Sequence, residues 1–347
     1  VERGQHTYSE IMSQPEVWQS ALETYAQLSE PYQKLWSEKN KGVQAIVTGC
    51  GSTHYLSMTG ARLMRQSGFD ASSYPASELL LYPDSVYHFD DEYMLIAVSR
   101  SGTTTETVRA IERFKAKRQG HIVTVTCDST SPLAELADIV FAIDDAQEES
   151  VAQTRSFSSM AVVLQQMAHG TDDDSITESS RLPSICQSLL DTHHDLAKSL
   201  GENPQIKKFF FLGSNALYGI ACEAMLKMKE MSLSYSEAFH MMEFRHGPMS
   251  MVSDDSLVVG LISPQSAKHD IQVLKEMQDM GATILSIGQD TTDFEHHIAL
   301  PDDLPSWNTP ILYLPVLQLM GYYRSLFNGQ NPDNPHNLTA VISLDNI

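Results

Sequence analysis

The chain has 347 residues, more than one domain usually needs, so two domains are expected. Hydrophobic residues make up 42% and charged residues 19%, an ordinary globular balance that supplies core for both and argues against disorder. With 23 basic against 44 acidic residues, the formal net charge of −21 opposes non-specific binding to nucleic acid or anionic membrane. A small anionic ligand stays open, since a few backbone N–H groups make a local positive site.

The opening VERGQHTYSEIMSQPEVW has no apolar stretch of secretory type, so no signal peptide is expected. No run of eighteen apolar residues occurs, and no transmembrane helix is expected either. The four cysteines, Cys50, Cys127, Cys186 and Cys222, are widely spaced without a C-x-x-C pair. They read as reduced thiols in a cytoplasmic protein. Residues 10–39 have helical spacing, with Trp18, Leu22, Tyr25, Leu28, Tyr32 and Leu35 near one face, so residues 1–40 are taken as an N-terminal helical segment.

The pattern then changes to short apolar runs alternating with helices. QAIVTG (44–49) ends in a Gly-rich turn, and a helix follows over about 53–67. YMLIAVS (93–99) leads through RSGTTTET to a helix ending near Lys117. HIVTVTC (121–127) is a third strand, LAELA a short helix and DIVFAI (138–143) a fourth strand; residues 151–167 are helical. Apolar strands alternating with helices indicate a parallel sheet covered on both faces.

The same order recurs further on. KFFFLG (208–213) parallels QAIVTG, with Gly49 and Gly213 164 residues apart, and LVVGLIS (257–263) parallels YMLIAVS, with Ser99 and Ser263 again 164 apart. ATILSIG (282–288) and HHIALP (296–301) complete the second set. The expected fold is therefore α/β, two tandem doubly wound units, the first over 41–168 and the second over 185–330. A polar, acidic linker near 168–184 is expected between them.

In open α/β sheets, ligands bind where the loops gather at the strands' carboxyl ends. SRSGTTTET lies at such an end and opens a helix; six of its nine residues carry a hydroxyl. Gly102 lets the backbone approach a ligand, and Ser99, Ser101, Thr103, Thr104 and Thr105 stand beside free helical N–H groups, a setting for a phosphate dianion. The plainer alternative is a Ser/Thr helix cap, which needs one hydroxyl. The counterpart in the second unit, SPQSAKHD, lacks the glycine. GCGSTH (49–54) is a second Gly-rich turn at a neighbouring strand end; it is neither a dinucleotide fingerprint nor a Walker loop, and alone it reads as structural.

Glu223, Lys227 and Glu230 share one face of the helix after FFFLG, where a carboxylate either pairs with the lysine or does chemistry. Met225, Met228 and Met231 on that helix read as packing. His246 lies sixteen residues beyond Glu230 and is followed by Gly247 and Pro248, which set an imidazole on a loop, whether as a surface histidine or as an acid–base group. A carboxylate moving a C–H proton and an imidazole serving a ring oxygen are the needs of sugar ring opening and aldose–ketose exchange. No His/Asp/Glu/Cys grouping has metal-ligand spacing, so neither metal nor cofactor is expected.

Across nearly its whole length the chain resembles the double SIS (sugar isomerase) proteins, the family of the isomerase half of glutamine–fructose-6-phosphate aminotransferase and of stand-alone glucosamine-6-phosphate deaminases. The resemblance rests on EIMSQPEVW, GCGST, SRSGTTTET, EESVAQTRSF, EAMLKMKEMSLSYSEAFHMMEFRHGP and NPDNPHNL. It implies that Ser99, Ser101 and Thr104, with the backbone of Arg100 and Gly102, grip a sugar phosphate. Thr53 matches a substrate-contacting serine, with Gly51 and Ser52 in the same turn. Val151 and Gln153 match residues near the sugar hydroxyls, where the family often has serine in place of Gln153. Glu230 matches the base between C1 and C2, and Lys227 a lysine contacting the sugar site. His246 matches a ring-opening histidine lent by the neighbouring subunit, which implies a homodimer. The tail, 331–347, would contribute to the active site.

One departure stands out. Relatives carry a lysine near the end of the chain that reaches the open sugar's carbonyl, whereas NLTAVISL here puts Ala340 at that place and no lysine follows Lys275. The resemblance then implies an amino-sugar-phosphate isomerase or deaminase more readily than an amino-transferring enzyme. A fructosamine-6-phosphate deglycase and a catalytically silent phosphosugar sensor are the competing expectations.

Overall fold

A computed structural model describes residues 3–37, 43–88, 92–117, 119–169, 173–290 and 292–339. The chain packs into two compact units. One takes in the N-terminal residues to Met12, Glu149–Thr154 and Ser184–Leu338; the other takes in Ser13–Glu148 and Arg155–Pro183. Each unit holds one five-stranded, all-parallel sheet.

In the first sheet, strands β1 (Gln44–Gly49), β2 (Ala71–Pro75), β3 (Glu92–Ser99), β4 (Gln119–Thr126) and β5 (Ile139–Ala142) lie in the order 2-1-3-4-5. In the second, β6 (Lys208–Gly213), β7 (Tyr235–His240), β8 (Ser256–Leu261), β9 (Thr283–Gly288) and β10 (His296–Ala299) follow the same scheme, with β6 between β7 and β8. The expected doubly wound repeat is present, and in each sheet the strand order reverses between the first strand and the third. Both candidate loops of the first unit, after β1 and after β3, flank that reversal point.

Each repeat has five strands where four were expected. The additional ones, β2 (ASSYP) and β7 (YSEAFH), pair on one side only, and their residues are mostly half-exposed. Edge strands covered on one side do not carry the continuous apolar runs of β3 or β8, whose residues are almost all buried. The N-terminal helical pattern resolves into two helices, Gln5–Met12 and Gln14–Ser37, broken at Ser13. The polar stretch near 168–184 is largely helical rather than a linker. Helix Arg155–His169 runs into it, Asp173–Ser179 is a short helix, and Leu182–Gly201 buries Leu182, Cys186 and Leu190. Residues 151–154, expected to be helical, precede the helix that starts at Arg155.

The strand-to-helix turns after β1 and β6 repeat to the dihedral. Gly51 has φ 57° and ψ −125°, and Asn215, 164 residues on, has φ 55° and ψ −124°. Before each turn, a strand-end glycine presses on the helix's first turn. A Cβ on Gly49 would lie 2.6 Å from Thr53 Oγ1, and one on Gly213 2.5 Å from the Leu217 carbonyl. Gly51 suits its backbone; Asn215 holds the same conformation at a cost. Asn215→Gly is therefore expected to stabilise the protein by roughly 0.5–1 kcal/mol, read as a higher urea midpoint at unchanged slope.

Candidate active site

In the first unit, β3 delivers Ser99 to the sheet's carboxyl end and the chain turns through Arg100–Thr104 into helix Thr105–Lys117. The loop is tightly held. Ser99 Oγ accepts from Gly102 N at 3.1 Å and lies 3.5 Å from Thr104 Oγ1. The Arg100 carbonyl accepts from Cys127 N at 3.0 Å and from Thr126 Oγ1 at 3.3 Å, and the Gly102 carbonyl accepts from Leu133 N at 3.1 Å. Gly102 has φ 60°, and a Cβ there would fall 2.0 Å from Ser131 Oγ, so the glycine is required by both conformation and room. Ser101 is half-exposed and Thr103 exposed, the Ser101 hydroxyl accepting from Thr103 N and Thr103 Oγ1. The loop thus presents small hydroxyls and a helix N-terminus on a rigid base.

The Arg100 side chain has a different task from its backbone. It is buried and pairs at 3.5 Å with the fully buried Glu148, which also accepts from the Ser156 hydroxyl. Neither Glu148 nor Ser131 stood out in the sequence; nothing marks a lone Glu or a helix-capping Ser as the floor under a loop about thirty or more residues away. In the turn after β1, Thr53 Oγ1 accepts from Cys50 N at 3.0 Å and donates to the Cys50 carbonyl at 2.9 Å, closing its own turn. Ser52 and Thr53 are buried, while a Cβ on Gly51 would meet nothing within 4 Å, so this side of the turn opens to free space.

In the second unit, helix Ala216–Ser232 follows β6 and carries Glu223, Lys227 and Glu230. Lys227 is buried, with Nζ 3.2 Å from Glu223 Oε1 and paired with Glu230 Oε1 as well. Side-chain exposure separates the two acids: 14% for Glu230 against none for Glu223. Burial works to lower the Lys227 pKa, but the two carboxylates overcome it and the value is raised, so the ammonium stays charged. The pairing expected from spacing is real, and it leaves Glu230 as the more exposed of the two acids. Met228 and Met231 are buried, as expected of packing residues, whereas Met225 is half-exposed.

Beyond this helix the chain does not continue as one rod to His246. Leu233 takes a left-handed conformation, β7 follows, and two short 3-10 turns, Glu243–Arg245 and Pro248–Met251, flank His246 and Gly247. Met241 and Phe244 are fully buried, Phe244 with its ring 5.2 Å from that of Phe210 on β6. Met242, Arg245 and His246 are exposed. The loop is anchored from inside and holds the imidazole out to solvent.

Val151 and Gln153 lie on a segment, Glu149–Thr154, fixed by both ends of the chain. Glu10 Oε1 accepts from Glu149 N at 2.7 Å and Ser150 N at 3.2 Å. Asp333 Oδ1 accepts from Thr7 N and Thr7 Oγ1, both at 2.8 Å, and its carbonyl accepts from Val151 N at 3.1 Å. Three of the quoted motifs are thereby one hydrogen-bonded cluster. Gln153 Oε1 is buried without a hydrogen-bond partner among the described residues. Ala340 lies outside the described residues. Among the described residues no group of three or more His, Cys, Asp or Glu is placed to hold a metal, and no helix is long and apolar enough to cross a membrane.

The family model for the SIS domain matches residues 39–170 and 205–294. Glutamine–fructose-6-phosphate aminotransferase (isomerizing) of Pyrococcus horikoshii is 28% identical over 352 residues, which is 97% of this chain and 57% of that protein. The enzyme of the same name from Legionella pneumophila is 26% identical, over 97% of this chain and 58% of its own length. The chain thus spans little more than half of these relatives. Among solved structures, tagatose-6-phosphate ketose/aldose isomerase of Escherichia coli is similar with a TM-score of 0.85 and 25% identity over 95% of each chain. Glucosamine-6-phosphate deaminase of Thermotoga maritima shares the fold, with a TM-score of 0.74 and 23% identity over 94% of this chain and 100% of that one.

Lys227→Met leaves the buried Glu223 and the partly buried Glu230 without their shared cation and is expected to cost about 3–5 kcal/mol in denaturant unfolding, with partial recovery in Lys227→Met/Glu223→Gln. Because the folded-state pKa of Lys227 is raised, the triad's contribution is present at neutral pH and is lost as the pH rises past the ordinary lysine range. Wild-type stability followed by denaturation from pH 8 to strongly alkaline conditions is expected to show that loss, and Lys227→Met is expected to lack it.

Proposed function

This chain belongs to the SIS-domain family, and on that footing we propose that it is an aldose–ketose isomerase and deaminase of glucosamine 6-phosphate or a similar amino-sugar 6-phosphate. The supporting observation is Glu230, the one partly exposed carboxylate of the buried triad, held by Lys227. The Ser99–Thr104 loop takes the phosphate through hydroxyls and helix N–H groups. His246 moves the ring proton that opens the sugar, and Glu230 carries a proton from C2 to C1. That transfer turns the 2-amino aldose into a 2-imino compound. Water adds to the imine carbon, the C–N bond breaks and ammonia leaves, giving fructose 6-phosphate. Pairing with Lys227 fixes one Glu230 oxygen and so aims the carboxylate, as a proton carrier must be aimed.

The similarity to a ketose/aldose isomerase supports the proton-transfer half of this scheme. In the family reading His246 serves the neighbouring subunit of a homodimer, which fits its exposure and its anchored loop. A second reading, cleavage of a fructosamine 6-phosphate, uses the same Glu and His and is favoured by Ala340 standing where relatives have a lysine.

Glu230→Gln is expected to lower turnover at least a thousandfold while a hexitol 6-phosphate still binds within a few-fold of wild type by calorimetry; full activity in that variant ends the proposal. Paired incubations with glucosamine 6-phosphate and fructosamine 6-phosphate, scored for ammonia and for glucose 6-phosphate, separate the two readings. Mixing inactive Glu230→Gln and His246→Ala subunits is expected to restore activity through mixed dimers. No recovery under conditions of subunit exchange would return His246 to its own subunit.

A further inference from the structure

The two sheets have the same strand order and the same turn after their first strand, yet the loops after β3 and β8 differ in a consistent way. At the 164-residue spacing, Ser99 corresponds to Ser263, Arg100 to Pro264, Gly102 to Ser266 and Glu106 to Asp270. The second loop loses one N–H donor to Pro264 and the flexible Gly102 position to Ser266. It also bends a carboxylate back into the turn. Asp270, on the first turn of helix Ala267–Asp279, is 1% exposed, and its Oδ2 accepts from Ser266 Oγ at 2.7 Å and Ser263 N at 3.2 Å. The strand-end N–H and the loop hydroxyl that would face a bound oxyanion are thus bonded to the chain's own anion.

Asp270 is not there for comfort. Its other oxygen, Oδ1, is buried without a hydrogen-bond partner among the described residues, and of the titratable groups that act on it, the Tyr313 hydroxyl carries no positive charge and the neighbouring His269 imidazole favours its charge. Burial pushes its pKa up, against the pull of the Ser266 hydroxyl, the Ser263 N–H and, last, the His269 imidazole. A half-satisfied buried carboxylate costs free energy that a neutral side chain would not, unless the N–H groups and the helix N-terminus need a negative charge at that spot.

We propose that Asp270 is a built-in anion: its carboxylate fills, in the second unit, the place that a ligand phosphate takes in the first, and keeps this strand end closed to phosphosugars. The chain then carries one phosphate site rather than two, although its strand order repeats; the loop backbone itself differs, φ being 60° at Gly102 and −121° at Ser266. The inference rests on the phosphate reading of the Ser99–Thr104 loop.

The test is rescue by a small anion. In Asp270→Ser the carboxylate is gone and the N–H and hydroxyl donors remain. Inorganic phosphate or sulfate at tens of millimolar is expected to raise its Tm by at least about 2 °C more than it raises that of wild type or of Asp279→Ser, an exposed acid on the same helix that controls for net charge. Equal rises in all three proteins overturn the proposal. Should Asp270→Ser fail to fold, calorimetric stoichiometry of a non-isomerisable hexitol 6-phosphate on wild type still decides: one per chain is expected, and two per chain overturns it. Binding of no hexitol phosphate by wild type refutes the reading of the first loop instead, a result distinct from failed anion rescue at Asp270.

Discussion

One ammonium group, that of Lys227, holds two carboxylates inside the second unit. Removing three charges from water is costly, and the helix tolerates it because spacings of three and four residues stack Glu223, Lys227 and Glu230 on one face. The arrangement does more than balance charge. Glu223 is sealed in, so the lysine cannot swing away from the helix, and Glu230 is left at the boundary with one oxygen tied. The proton transfer proposed for Glu230 needs that combination of fixed direction and open access. The surrounding architecture keeps the helix in register: β6 feeds it through a turn that admits no side chain at Gly213, and buried Met228 and Met231 fasten its inner face.

The first unit solves a different problem, presenting polar groups without letting them collapse on one another. Its loop after β3 is floored by many hydrogen bonds, with Ser131 packed against Gly102 and Arg100 turned inward onto Glu148. Rigidity there means that the donors would not have to be reorganised to meet the phosphate proposed for this loop. The Thr53 hydroxyl, by contrast, already serves its own turn, so that turn offers a ligand its open space more than its side-chain donors.

The α/β class, the repeat and the central strands were legible because β1, β3, β6 and β8 are buried on both faces and so are written as unbroken apolar runs. The edge strands β2 and β7 were not, since Ser72, Ser73, Ser236 and Glu237 lie where apolar periodicity fails. For the same reason the path from Glu230 to His246 could not be followed: it contains an edge strand and two 3-10 turns, and its fixed points are Met241 and Phe244, which look like any other core residues. The Lys227 pairing was visible because it is local to one helix. The clamp of Glu10 and Asp333 on the 149–154 segment was not, because it joins residues from opposite ends of the chain.

The paired dihedrals of Gly51 and Asn215 carry a consequence for engineering. A main-chain path that is shared by a glycine and an asparagine is set by the sheet and helix on either side, not by the residue that happens to occupy it. The two turns, though not the loops after β3 and β8, are in that sense interchangeable mounts. A residue exchanged between positions 51 and 215 meets the same main-chain path, so what changes is the side chain displayed and the cost of holding it there.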